Sequence, residues 1–153
     1  MDRPPTLAES VEAAAETLVG VLEAARTRHP SPVSPTQLRV LSLINSRPVT
    51  NVNTLAELLH VVPSSASRLC DRLEAIGLVC RVVDQRDRRE VQLRLTGAAR
   101  TLLDELRDQR RAALETVLVR MPVRAREELL SALVAFGEAA NSAEVPEQRA
   151  RTA

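Results

Sequence analysis

The chain has 153 residues, of which 27% are charged and 44% hydrophobic, as in one compact globular domain or a small domain with an assembly element. The formal net charge is only +1, so any affinity for nucleic acid must come from local clusters of arginine. Phe136 is the sole aromatic residue, which excludes stacking platforms for single-stranded nucleic acid. The sequence has no apolar run of membrane-spanning length and no signal-peptide pattern, so we expect a cytoplasmic protein without a membrane partner.

The first predicted element is an amphipathic helix over residues 7–28, which Pro30 and Pro32 end. Its apolar stripe is long for a helix at the edge of a small domain, so we expect it to pack internally or against a second copy of the chain. The stripe recurs at helical spacing and comprises Leu7, Val11, Ala14, Leu18, Val21, Leu22 and Ala25.

Two short helices follow. The first begins at a capping-box pattern, with Ser34 at the N-cap and Gln37 three residues later, and ends before Pro48. A similar Thr-x-x-Glu pattern at residues 54–57 predicts the second helix over residues 54–60. Leucines at helical spacing indicate that one face of each helix is buried.

A third short helix is predicted from Pro63 to about residue 76, with Gly77 as its C-cap residue. One face is apolar and should be buried: Ala66, Leu69, Cys70, Leu73 and Ile76. The opposite face is polar: Ser64, Ser65, Ser67, Arg68, Asp71 and Arg72. Such a face is usually only solvated, but small hydroxyl residues let a helix end enter the major groove, and arginine binds guanine or phosphate.

A β-hairpin with a charged tip is predicted next. Residues 78–83 form an apolar β-type run, and residues 90–95 alternate between apolar and polar side chains. The tip between them reads Asp-Gln-Arg-Asp-Arg-Arg. A charged loop is commonly just solvated, yet here it directly follows a helix-turn-helix pattern. Its arginines could therefore enter a neighbouring minor groove, where the negative potential attracts them.

Two longer helices are predicted over residues 96–121 and 123–140, followed by a polar tail over residues 142–153 that should be frayed. Their apolar stripes need a partner, and a second copy of the chain is the simplest one. The predicted fold class is therefore mainly α with a small β-hairpin (α+β). A two-fold dimer would present two DNA-binding helices ~34 Å apart, on a near-palindromic site. The predicted organisation is an N-terminal dimerisation helix (1–33), a winged helix-turn-helix (34–95) and C-terminal dimerisation helices (96–141).

The run TLAELLHVVPSSASRLCDRLEAIGLVCRVVDQRDRREVQLRLTGAA resembles the MarR family of winged helix-turn-helix regulators, and the resemblance is close over about residues 34–100. It implies a homodimeric regulator of transcription, more often a repressor, that binds double-stranded DNA. The helix after Pro63 would then be the recognition helix, with Ser64, Ser65, Ser67 and Arg68 in the major groove and Arg72 on the DNA backbone. The hairpin would be the wing, and its tip would carry Arg86, Arg88 and Arg89, with Asp87 orienting one guanidinium.

The chain departs from the family pattern in two places. Val62 stands where relatives often have a polar helix cap, and losing a cap costs on the order of 1 kcal/mol. The near-absence of aromatic side chains also disfavours a typical pocket for an aromatic ligand. In the cleft between the winged unit and the dimer helices, Arg26, His29 and Arg39 remain as candidates to bind a small anionic effector.

Two alternative functions are compatible with parts of the sequence. A thiol-based redox sensor would use Cys70 or Cys80, although Cys70 falls on an apolar helix face where inert packing is the better interpretation. A helical protein-interaction module would explain the end helices but not the serine and arginine face. Catalysis is not expected, because His29 and His60 lack partners for nucleophilic chemistry. The two cysteines do not make a zinc site, so no cofactor is expected.

Overall fold

The computed structural model of the protein describes residues 3–28, 31–47, 50–83 and 91–150, except for the side chains of Arg28 and residues 143–150. The chain divides into two compact units, Met1–Arg111 and Ala112–Ala153. No helix in the described ranges has the length and apolar character needed to cross a membrane. The elements in chain order are α1 (Leu7–Arg28), α2 (Pro35–Ser46), α3 (Val52–Leu59), α4 (Pro63–Ala75), β1 (Val79–Val83), β2 (Val91–Leu95), α5 (Gly97–Leu118) and α6 (Val123–Ala150). The predicted fold class, mainly helical with one antiparallel hairpin, is confirmed.

The start of α2 has the predicted capping box. Ser34 Oγ accepts a hydrogen bond from the Gln37 N–H at 3.3 Å, and Gln37 Oε1 accepts one from the Ser34 N–H at 2.8 Å. Two backbone N–H groups that the helix itself cannot satisfy are thereby paired. This local chemistry explains why α2 begins at Pro35, as the sequence predicted.

The start of α3 differs from the prediction. Asn51 is the N-cap, and its Oδ1 accepts a hydrogen bond from the Thr54 N–H at 2.8 Å. The helix therefore begins at Val52, two residues before the predicted start, and Thr54 lies inside its first turn. It ends at Leu59 because His60 adopts a left-handed conformation (φ 54°), which an α-helix cannot continue.

The core of the first unit lies where α2, α3, α4, the hairpin and the base of α5 pack together. It is built mainly from leucine and valine, so burial of aliphatic surface is the main stabilising term, at roughly 1.5–3 kcal/mol for each large side chain. The largest fully buried residues are Leu41, Leu55, Leu73, Val40, Val79, Thr50 and Cys70.

The hairpin pairs β1 with β2 in an antiparallel register that sets Val79 opposite Leu95 and Val83 opposite Val91. The Leu93 N–H donates to the Thr50 carbonyl at 2.7 Å, so the segment before α3 covers the free edge of β2. Burial at the start of β2 does not follow the alternation of apolar and polar residues, because Gln92 is buried whereas Val91 is exposed. Val91 lies at the loop end of the hairpin, opposite Val83 and beyond the core. Arg94 donates to Gln92 Oε1 at 3.3 Å.

The last two helices differ from the prediction in length. α5 ends at Leu118 rather than near residue 121, and a tight turn leads to Pro122. Within the second unit, the Arg126 guanidinium donates to the Met121 carbonyl at 3.0 Å and so satisfies an oxygen of that turn. α6 continues to Ala150, beyond the predicted end near residue 140, and includes residues for which a frayed tail was predicted.

Candidate nucleic-acid interface

The N-terminus of α4 has no side-chain cap. Val62 is the N-cap residue and makes no side-chain hydrogen bond, which confirms the expected departure at this position. The Ser65 and Ala66 N–H groups donate to the Val62 carbonyl at 2.9 and 3.2 Å. Pro63 occupies the first helical position, where its fixed φ favours the helix and its missing N–H costs nothing.

The C-terminus of α4 is closed by a left-handed glycine. Gly77 has φ 73°, its N–H donates to the Glu74 carbonyl at 2.9 Å, and the Leu78 N–H donates to the Leu73 carbonyl at 2.9 Å. Ile76, predicted to be buried, is 52% exposed. The helix ends one residue before it, and its backbone (φ −95°, ψ 9°) no longer places the side chain on the apolar face.

The apolar face of α4 anchors the helix in the core. Ala66, Cys70 and Leu73 are fully buried, and Leu69 is half-buried against the same cluster, as the helical spacing predicted. Because side chains on one helical stripe fix the rotation of the helix about its axis, the opposite face must point away from the core. α4 is therefore held with its serine and arginine face outward.

The outward face of α4 brings the predicted major-groove residues together. Ser64, Arg68 and Arg72 are exposed, and Ser65 and Ser67 are half-buried. Neither Arg68 nor Arg72 forms an ion pair with another described residue, so both guanidinium groups are available to an anionic partner. The face combines small hydroxyls near the helix start with two cations one turn apart.

Arg81 of β1 makes a contact with α4 that the sequence did not indicate. Its guanidinium donates to Asp71 Oδ1 at 2.6 Å and, through the other terminal nitrogen, to Glu74 Oε2. The hydrogen bond to Asp71 is the main cause that raises the pKa of Arg81, and the Glu74 carboxylate adds to it. No periodic pattern links a strand residue to helix residues seven and ten positions earlier, and only the packing of β1 beside α4 reveals this contact.

The wing-tip residues Arg86, Asp87, Arg88 and Arg89 lie outside the described residues, so their role stays a prediction. The last described pair of the hairpin is Val83 with Val91.

The two cysteines occupy different environments. Cys70 is fully buried, and this burial raises the pKa of its thiol to about 11. Its side chain therefore belongs to the core, as predicted, and reactive thiolate chemistry at Cys70 is disfavoured. Cys80, in β1, is half-buried and has a free thiol. The described residues contain no group of three or more potential ligands able to hold a metal ion.

A cleft of about 480 Å³ lies beside the end of α1 and is lined by Glu23, Arg26, Thr27, Ser31 and Val33. An adjoining crevice of about 10 Å³ shares Arg26 and is too small for an organic ligand. Of the candidate effector residues, Arg26 lines the cleft, whereas Arg39 lies exposed on α2 and is not part of the described lining. His29 lies outside the described residues.

Comparison with known proteins agrees with this architecture. A model of the MarR family matches residues 33–91. The chain is 31% identical over 117 residues to the HTH-type transcriptional repressor MdtR of Bacillus subtilis (strain 168), over 76% of this chain and 74% of that protein. The crystal structure of RV1404 from Mycobacterium tuberculosis is similar at a TM-score of 0.78 and 27% identity, covering 91% of this chain and 97% of that one.

A MarR family protein from Bacillus stearothermophilus has the same fold, with a TM-score of 0.74 at 22% identity over 88% of this chain and 93% of that one. The similarity to the repressor spans both the winged unit and flanking helices, since the aligned 117 residues exceed the stretch that the family model matches. The chain has the helices and the hairpin of this fold, and its relatives are transcriptional regulators. It therefore belongs to the MarR family of transcriptional regulators and is not an enzyme.

Proposed function

We propose that this protein is a homodimeric repressor in the cytoplasm that binds a near-palindromic DNA site through α4 and the wing. The observation that carries the proposal is the outward face of α4, where Arg68 and Arg72 are exposed and without an ion pair among the described residues. Ala66, Cys70 and Leu73, buried on the opposite face of α4, hold this surface in place. A cationic helix face with small residues near its start fits the major groove.

Within the proposed complex, the residues of α4 divide between specificity and affinity. Ser64, Ser65 and Ser67 lie near the helix N-terminus, which approaches base edges most closely in helix-turn-helix complexes. Arg68, one turn further, can donate two hydrogen bonds to guanine, and Arg72 is placed to bind a phosphate. The wing contacts of Arg86, Arg88 and Arg89, with Asp87 orienting one of them, rest on the family resemblance.

The proposed dimer would bury apolar side chains that the single chain exposes. In the second unit, Phe136 is 67% exposed, and Leu130, Leu133 and Val134 of the same helix are exposed as well. In the first unit, α1 exposes Leu7 and Val11. Exposed large apolar side chains of this kind are typical of association surfaces, and a second copy supplies matching ones.

The cleft at the end of α1 is the proposed site for a small anionic effector that releases the DNA. Its volume of about 480 Å³ lies in the range of small-molecule sites. Arg26 supplies the positive charge, and Thr27 and Ser31 supply hydroxyl groups. Glu23 lines the same cleft and disfavours ligands of high negative charge, so a monoanion such as a small carboxylate fits best.

The DNA-binding proposal is tested by selecting bound duplexes from a random pool with the full chain. We expect a palindrome with half-sites about 10 bp apart. Arg68→Ala should relax the preference at one base pair of each half-site, and Arg72→Ala should weaken binding to all sequences and lower the salt slope by about one. Arg120→Ala, an exposed arginine in the turn after α5, is the control and should bind like the unaltered protein. A pool without enriched sequences would instead favour the protein-interaction alternative.

The effector proposal is tested by screening small carboxylates for release of the selected duplex. Arg26→Ala should abolish the response to an active compound, whereas Arg39→Ala, whose side chain lies outside the described cleft lining, should retain it. Equal loss in both variants would argue against this cleft as the site.

A further inference from the structure

We propose that Arg81 is a positioning residue for DNA binding: by holding Asp71 and Glu74, it keeps these carboxylates from neutralising the arginines of the recognition helix. The inference rests on the proposed function, since its effect is exerted through Arg68 and Arg72. It assigns to a strand residue a role in the chemistry of the helix surface.

The geometry places one guanidinium across two turns of α4. Asp71 and Glu74 are three residues apart and therefore lie on neighbouring turns of one helix side. Each accepts from a different terminal nitrogen of Arg81, which uses the planar fork of the guanidinium in a way that a lysine ammonium cannot reproduce. Arg81 sits mid-strand, paired with Leu93, and its side chain is only 28% exposed, so its position is set by the hairpin.

Without Arg81, the Asp71 carboxylate has another cation within reach. Asp71 is three residues from Arg68, the spacing at which oppositely charged helix residues pair. An internal ion pair of Arg68 would have to break before the guanidinium could bind DNA, and the freed carboxylates would repel phosphates. The structure shows Asp71 bound to Arg81 instead, and Arg68 without an ion pair among the described residues.

The contact is expected to matter more for DNA binding than for folding. Both carboxylates are more than a third exposed, and ion pairs at such sites contribute little to stability because solvent screens them. The field that a DNA phosphate meets at α4, by contrast, changes with every carboxylate that loses its partner. Arg81→Gln should therefore keep the fold and the dimer while its affinity for the selected duplex falls on the order of tenfold.

The test compares Arg81→Gln in two backgrounds of the full chain, by fluorescence anisotropy with the selected duplex across a salt series. In the native background we expect roughly tenfold weaker binding. In the Asp71→Asn, Glu74→Gln background no carboxylate remains to be held, so the same change should weaken binding by less than about threefold. Circular dichroism and the oligomeric state serve as fold controls. If Arg81→Gln does not fold, Arg81→Lys, which keeps the charge but not the fork, is compared in the same two backgrounds and should show the same pattern.

Three outcomes would overturn the inference. Equal loss in both backgrounds together with a salt slope lower by about one would mean that Arg81 binds a phosphate directly. Unchanged affinity of Arg81→Gln would mean that the contact is only structural. If the unaltered protein binds no duplex, the proposed function and this inference both fail. If it binds, and Arg68→Ala weakens binding while Arg81→Gln leaves it unchanged, only the inference fails.

Discussion

The Thr96 hydroxyl donates a hydrogen bond to the Gly77 carbonyl at 2.7 Å and thereby joins the end of α4 to the start of α5. The Thr96 hydroxyl oxygen also accepts a hydrogen bond from the Ala99 N–H at 3.2 Å. The Thr96 N–H donates to the Leu78 carbonyl at 3.1 Å. One side chain thus caps α5 and fixes the turn that ends α4. In the proposed repressor, these hydrogen bonds connect the base of α5 directly to the segment that follows the DNA-binding helix.

Replacing Thr96 by valine tests this junction. Valine keeps the shape but loses the hydroxyl, so both the α5 cap and the bond to Gly77 disappear. We expect the free energy of unfolding to fall by about 1–2 kcal/mol, as measured by urea denaturation at fixed protein concentration. Thr96→Ser retains the hydroxyl and should lose less than about 0.5 kcal/mol. Equal stability of the two variants would contradict a role for the hydroxyl.

Gly77 is required for its backbone conformation rather than for its size. Its φ of 73° lies in the left-handed region, and an added Cβ would meet no atom within 4 Å. Gly77→Ala should therefore destabilise the chain by roughly 1–2 kcal/mol through backbone strain alone. Gly77→Asn should cost less, because asparagine tolerates this region. Thermal unfolding of the two variants provides the measurement, and an asparagine variant less stable than alanine would refute the conformational explanation.

Several local features of the fold could be predicted from the sequence. The Ser34 and Gln37 capping box, the buried Ala66, Cys70 and Leu73, and Gly77 as the end of α4 all follow from patterns within a few residues. Such features depend on helix periodicity and on backbone groups near each helix end, so distant parts of the fold hardly alter them.

Other features were missed or misplaced. Asn51 and Thr54 both begin acceptable cap patterns, and local chemistry does not choose between them; the structure uses Asn51. Ile76 fits the apolar stripe but follows the helix end. The Arg81 contact joins two elements that become neighbours only when the hairpin folds beside α4. Only the Arg81 contact depends on residues outside the sequence window in which periodicity operates. The Asn51 cap and the helix end before Ile76 are set by interactions within a few residues.

The Cys70 thiol should make stability fall at alkaline pH. Its pKa in the folded chain, about 11, lies above the ordinary value of 9.0, because burial disfavours the thiolate. Below pH 9.0 the thiol is protonated in the folded and unfolded chains, and its contribution is fully present. Between these two values the unfolded chain releases the proton first, so the free energy of unfolding decreases as the pH rises, by roughly 2–3 kcal/mol in all.

The measurement is urea unfolding from pH 8 to 11, with Cys70→Ala as the reference because it lacks the titrating group. The stability difference between the unaltered protein and this variant should shrink across that range. A constant difference would show that the Cys70 pKa is not raised by folding.

At neutral pH, a thiol reagent should modify Cys80, which is half-buried, well before Cys70, which is fully buried.

Replacing Val62 offers a way to stabilise the start of α4. This residue is the N-cap of α4, makes no side-chain cap and is 61% exposed, so replacing it removes little buried surface. Its extended backbone (φ −70°, ψ 148°) is the conformation in which a serine oxygen can accept from the N–H groups of the first turn. Val62→Ser should therefore raise the free energy of unfolding by about 0.5–1 kcal/mol, whereas Val62→Ala, which truncates the side chain without adding a cap, should not. Urea denaturation of both variants makes the comparison, and a serine variant no more stable than the alanine variant would show that this helix start gains nothing from a cap.

In the proposed repressor, a DNA phosphate could bind the same N–H groups at the start of α4. Duplex affinity measured on both variants therefore reports whether the serine competes with DNA for these groups.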